Sequence, residues 1–117
     1  MQPTSIIQVR PAEFETWRSS GGGALHPVVL DVREPWETQT AAVKPLGFSL
    51  VSIPMNEIPA RLAELGADTP VACLCHHGAR SQRVAAFLLQ NGFENVVNIA
   101  GGIDAWAMEH DASVPRY

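Results

Sequence analysis

Apolar residues run along this chain in short blocks separated by polar, glycine and proline punctuation, and the blocks alternate between strand and helix spacing. Residues 6–9 read as a short strand, and Pro11 suits the first turn of a helix whose inner face carries Phe14 and Trp17. Gly21-Gly22-Gly23 ends that helix in a flexible turn. Val28-Val29-Leu30-Asp31-Val32 is a nearly continuous β-branched run, the pattern of a strand covered on both faces. Residues 33–50 hold Pro35, Pro45 and Gly47 with no sustained period, which predicts loop with room for one helical turn. A further strand is expected over 50–53, then a helix from Pro59 through Leu62 and Leu65 to Gly66.

Val71-Ala72-Cys73-Leu74-Cys75 reads as the next buried strand, and Val84, Phe87 and Leu88 recur at helical spacing between Arg80 or Ser81 and Gln90. Residues 96–99 form a last strand, followed by Gly101-Gly102 and a short helix containing Ala105 and Trp106; the tail from Asp111 has no period. Strand and helix in repetition predict an α/β fold, a parallel sheet with helices on both faces. With 117 residues and no linker or repeat, residues 1–117 are expected to form a single domain.

Composition narrows the function. Apolar residues make up 46% and charged residues 17%, enough for a core and too few charges for a disordered chain. The formal net charge is −4, and Lys44 is the only lysine beside seven scattered arginines, so binding of nucleic acid through a basic face is not expected. No apolar stretch approaches the roughly 20 residues of a membrane span, and no secretory leader is legible, so a soluble cytoplasmic protein is expected. Cys73 and Cys75 lie two apart, a spacing poor for a disulfide, and are read as free thiols.

Cys75 ends a strand just before a helix, the place where ligands bind in open α/β sheets. The free N–H groups of the helix start favour an anion there, and a thiolate is one. In the loop Cys75-His76-His77-Gly78-Ala79-Arg80, Gly78 permits the backbone to turn its amides inward, and Arg80 adds a permanent positive charge at the far end. Those features predict an activated, nucleophilic cysteine. Ser81 is expected to bond free amides at the helix start. Asp31 and Arg33, at the end of a central strand, are expected to form a buried ion pair that shapes the pocket. Cys73 reads as a small core residue, Trp36 and Trp106 as core or pocket-wall aromatics, and Arg83 as solvated. His76 and His77, with the cysteines, offer soft ligands for zinc or copper, but adjacent loop histidines diverge, so no metal is expected and their imidazoles are placed at the pocket mouth or in solvent.

Three segments in order, Leu30 to Glu37, Cys75 to Ser81 and Gly101-Gly102-Ile103-Asp104-Ala105-Trp106, resemble the signatures of the rhodanese-like domains. The resemblance implies a five-stranded, mainly parallel sheet with helices on both faces. It implies that Cys75 takes the outer sulfur of a donor such as thiosulfate as a persulfide and passes it to a thiol or cyanide acceptor, with His76, His77, Gly78, Ala79, Arg80 and Ser81 binding the substrate anion and no cofactor. A sulfur-relay or partner-binding module, receiving or delivering sulfur through a protein partner, is the second expectation. A phosphatase or arsenate reductase is the third. It is disfavoured because four residues separate Cys75 from Arg80, one fewer than those cradles use. Between Glu37 and Ser52 the chain departs from the family's pattern; segment 38–51 is expected to border the site mouth.

Overall fold

The computed structural model describes residues 6–20 and 26–117; the glycine run 21–23 lies outside the described residues. Five strands form one sheet: β1 (Ile7–Val9), β2 (Val28–Asp31), β3 (Ser49–Ser52), β4 (Val71–Leu74) and β5 (Val96–Ile99). Their spatial order is β1-β5-β4-β2-β3, and every pairing is parallel. The sheet is therefore wholly parallel. Between the strands lie α1 (Phe14–Ser20), α2 (Pro35–Thr40), α3 (Ile58–Arg61), α4 (Ala79–Gln90) and, after the last strand, α5 (Gly102–Glu109).

The continuous apolar runs belong to the central strands because both faces are covered. Side chains alternate across a strand. Val29, Ala72, Leu74 and Val97 pack on one face with Phe14, Ile103 and Trp106, while Leu30, Val71, Cys73, Cys75 and Val96 pack on the other with Ile58, Val84 and Leu88. Thus α1 and α5 cover one face, and α3 and α4 cover the other. Phe14 makes edge contacts with Phe48 and Trp106, at ring separations of 5.4 and 5.0 Å, which anchor the first of these cores.

Two local expectations shift. Residues 33–50 hold a six-residue helix, α2, started by Pro35 at its first position and by the Glu34 N–H, which donates to the Glu37 side chain at 3.1 Å while the Glu37 N–H donates to the Glu34 carbonyl. The element expected to start at Pro59 is instead a 3-10 turn (Met55–Glu57), then α3, then another 3-10 turn (Leu62–Glu64). Pro59 has no N–H to donate, so it fits a first helical turn without having to begin it. Segment 38–51 sends Ala41, Val43 and Phe48 into the core with Phe14 and Trp106. The buried positions 41, 43 and 48 are unevenly spaced about Pro45, so no regular period shows in the sequence.

Candidate active site

Leu74 ends β4, and the chain turns through 75–78 into α4, so Cys75 stands where the strand's carboxyl end meets a helix start. Gly78 is the residue before the helix, at φ +109°, a conformation that a side chain would strain. That turn lets the Gly78 N–H donate to Cys75 Sγ at 3.1 Å. The Ser81 hydroxyl reaches Sγ from the first turn of α4 at 3.3 Å. Cys75 is itself 1% exposed. Cys73 is wholly buried on the same sheet face, and burial pushes its thiol well above the ordinary range, so it stays a neutral core residue at neutral pH.

The loop is clamped from the opposite side by α5. Ile103 N–H donates to Cys75 O at 2.8 Å and Asp104 N–H to His76 O at 3.2 Å, so the start of one helix satisfies the carbonyls of the cysteine loop. Gly102, at φ +61°, permits this approach: a Cβ there would fall on the carbonyls of Cys75 and His76, well inside contact distance. The paired glycines of the third signature thus have a steric reason.

Arg80 does not point a free charge at the sulfur. Its guanidinium makes a bidentate pair with Glu37 of α2, at 2.7 and 2.8 Å. That guanidinium, with the Tyr117 hydroxyl and the Glu34 amide, holds the Glu37 carboxyl down to about 2. Tyr117 Oη donates to Glu37 Oε2 at 2.6 Å and accepts from Arg33 Nη1 at 3.0 Å. Arg33 in turn pairs with Asp31 at 2.6 Å, both side chains fully buried, and donates to Glu37 O and Ala41 O. From Asp31 to Arg80, one charge-balanced network ties β2, α2 and the end of the described chain to the cysteine loop.

His76 lies between two rings, Tyr117 at 4.0 Å and His77 at 3.9 Å, and its Nε2 is buried without a hydrogen-bond partner. His77 is exposed, with Asp104 4.0 Å away. Among the described residues, His76, His77 and Asp104 form a group whose ligand-type atoms lie within 4.8 Å of one another. The two imidazoles are stacked 24° from parallel, so their lone pairs do not converge, and Asp104 is already paired with Arg116 at 2.8 Å. Ala79 is the exposed first residue of α4.

Two expectations are corrected. Ser81 is not the helix cap: that position is Gly78, and the Ser81 hydroxyl bonds instead to Sγ, Gly78 O and, at 2.5 Å, Asn98 Oδ1. Trp36 is 63% exposed, packing its ring edge against Tyr117, whereas Trp106 is core. Sequence reasoning missed Glu37, Tyr117 and Asn98 as parts of the site. Asn98 carried a signal, one amide inside the apolar run Val96–Ile99, and it is 2% exposed. Tyr117 carried none and Glu37 only its place at the end of the first signature, since only the folded chain brings them across 43 and 37 residues to Arg80.

The family model described as Rhodanese-like domain matches residues 10–109. A curated sulfurtransferase of Allochromatium vinosum is 36% identical over 80 residues, covering 68% of this chain and 71% of that protein. The crystal structure of a rhodanese-related protein from Thermoplasma volcanium superposes with a TM-score of 0.73 at 30% identity, over 89% of this chain and 93% of the other. That of reduced Bacillus anthracis CoADR-RHD superposes with a TM-score of 0.76 at 25% identity, over 93% of this chain but only 18% of the other.

Proposed function

The chain belongs to the rhodanese-like domain family, and from that premise we propose that it is a sulfurtransferase whose Cys75 carries the transferred sulfur as a persulfide. The observation that carries this reading is the sulfur itself: Cys75 Sγ lies just past the carboxyl end of a central strand and meets the Gly78 N–H and the Ser81 hydroxyl. A thiolate there attacks the outer sulfur of thiosulfate. The new S–S bond forms as the donor's S–S bond breaks, and sulfite leaves with the electron pair. A thiol or cyanide then attacks the terminal sulfur of the persulfide and returns the Cys75 thiolate, a double displacement. His76, His77, Ala79 and the Gly78 backbone line the approach, while Arg80, through Glu37, fixes the loop's shape.

The Arg80–Glu37 pair also favours a second reading, a relay module that takes sulfur from a protein partner. Its cation is already neutralised, which supports a poorer hold on a free dianion than an unpaired arginine would give. Incubation with thiosulfate followed by intact-mass measurement separates the readings. The wild type gains one sulfur atom and Cys75→Ser gains none; equal behaviour of the two overturns the role of Cys75. Loading that proceeds without turnover to cyanide selects the relay.

A further inference from the structure

Beside Ser81, Asn98 of β5 forms a buried amide bridge to the cysteine loop. Its Nδ2 faces Gly78 O at 3.1 Å, and also Gln8 Oε1 at 2.9 Å. A carbonyl only accepts, so the amide nitrogen must face Gly78, and Oδ1 must face Ser81. There the Ser81 hydroxyl sits 2.5 Å from Asn98 Oδ1 and 3.3 Å from Cys75 Sγ. A serine hydroxyl has one proton to give. Asn98 and the cysteine sulfur therefore compete for it.

We propose that Asn98 is a positioning residue that acts through Ser81, drawing the serine proton away from Cys75 while the sulfur is neutral and yielding it when the sulfur is charged. In the thiol form the Cys75 S–H donates to Ser81 Oγ, Ser81 donates to Asn98, and the Gly78 N–H donates to Sγ. On ionisation the thiol proton goes to water and the Ser81 hydroxyl rotates to the thiolate, leaving the buried Asn98 Oδ1 without its donor. An unsatisfied buried acceptor is costly, so Asn98 holds the thiolate back. Under the sulfurtransferase reading, on which only this extension rests, negative charge moves to the outer sulfur in the persulfide and the serine proton returns to Asn98. The pair would then change over between the two half-reactions.

Charged and titratable groups face Cys75 from several of the elements around it. Cys73 lies on its own strand, Arg80 with Glu37 faces it from α4 and α2, and His76 and His77 adjoin it in the loop. Asp104 of α5 and the Asp31–Arg33 pair with Tyr117 stand behind the loop. None of these is altered by substituting Asn98 or Ser81, so a double-mutant cycle isolates the neutral pair.

The test is the pH dependence of Cys75 alkylation by iodoacetamide, read by intact mass with Cys75→Ser as the zero; it needs no sulfur transfer and so stands apart from the proposed function. Asn98→Leu is expected to lower the midpoint by about half a pH unit or more, because Ser81 is freed for the thiolate. Ser81→Ala is expected to raise it. In the Ser81→Ala background, Asn98→Leu is expected to move it little. A midpoint that rises or stays fixed in Asn98→Leu, or a fall of equal size without Ser81, overturns the proposal, since a loosened loop would act with or without the serine. Asn98→Ala replaces the leucine variant if circular dichroism shows that the latter does not fold.

Discussion

At the scale of single residues, the pair between Glu37 and Arg80 turns an arginine at the start of α4 into a structural tie. Glu37 is almost fully buried, and its carboxyl titrates at about 2, down from an ordinary 4.5, chiefly because Arg80 donates to both oxygens. A carboxyl lowered on folding contributes stability above its ordinary value and loses it as the pH falls toward the folded value. Glu37→Gln is therefore expected to cost about 1–3 kcal/mol at pH 7, in keeping with one charge-assisted pair in a mostly buried setting. Denaturant melts of the two proteins should converge between pH 4.5 and 2; a gap that stays constant across that range would assign the loss to packing instead. Cys75 was legible in the sequence because a strand's apolar run ends on it and a helix pattern follows. The partner of Arg80 was not, since a carboxylate in an irregular segment carries no local mark of where the fold will take it.

At the scale of elements, α5 works as a clamp on the cysteine loop. Its first amides bond the carbonyls of Cys75 and His76, and Gly102 sits where a side chain would strike those same carbonyls. Gly92 offers an internal comparison, because it too has positive φ, at +91°, but a Cβ there meets nothing within 4 Å. Gly92→Ala is expected to cost only the backbone strain, about 1–2 kcal/mol, and to leave Cys75 alkylation unchanged. Gly102→Ala must also displace the loop, and is expected to cost at least about 2 kcal/mol and to change the alkylation rate. Matching losses in the two variants would show that α5 does not brace the loop. Strands and long helices were readable here because burial on one or two faces leaves a period in the sequence. The 3-10 turns flanking α3 were not, since elements of three or four residues contain too little of any period to be distinguished from loop.

At the scale of the whole molecule, the charges nearest Cys75 cancel in pairs while the molecule as a whole does not. Arg80 balances Glu37, Arg33 balances Asp31 and Arg116 balances Asp104, all within hydrogen-bond distance. The net charge of −4 then dominates the field that an incoming anion feels over a body with a radius of gyration of 13.1 Å. For a sphere of this size, four charges in water give a surface potential on the order of kT at low salt, which falls to a fraction of that once the Debye length drops well below the radius. The consequence can be measured at the thiol with two reagents of the same chemistry and different charge. Iodoacetamide is neutral, and its rate with Cys75 should hardly depend on ionic strength. Iodoacetate is an anion, and its rate relative to iodoacetamide should rise by about twofold between roughly 10 mM and 0.5 M salt as the repulsion is screened. A ratio that falls with salt would mean that the mouth carries a net positive field despite the pairing, and that an unpaired cation such as Arg83, exposed on α4, rather than the molecule's total charge governs the approach of anions.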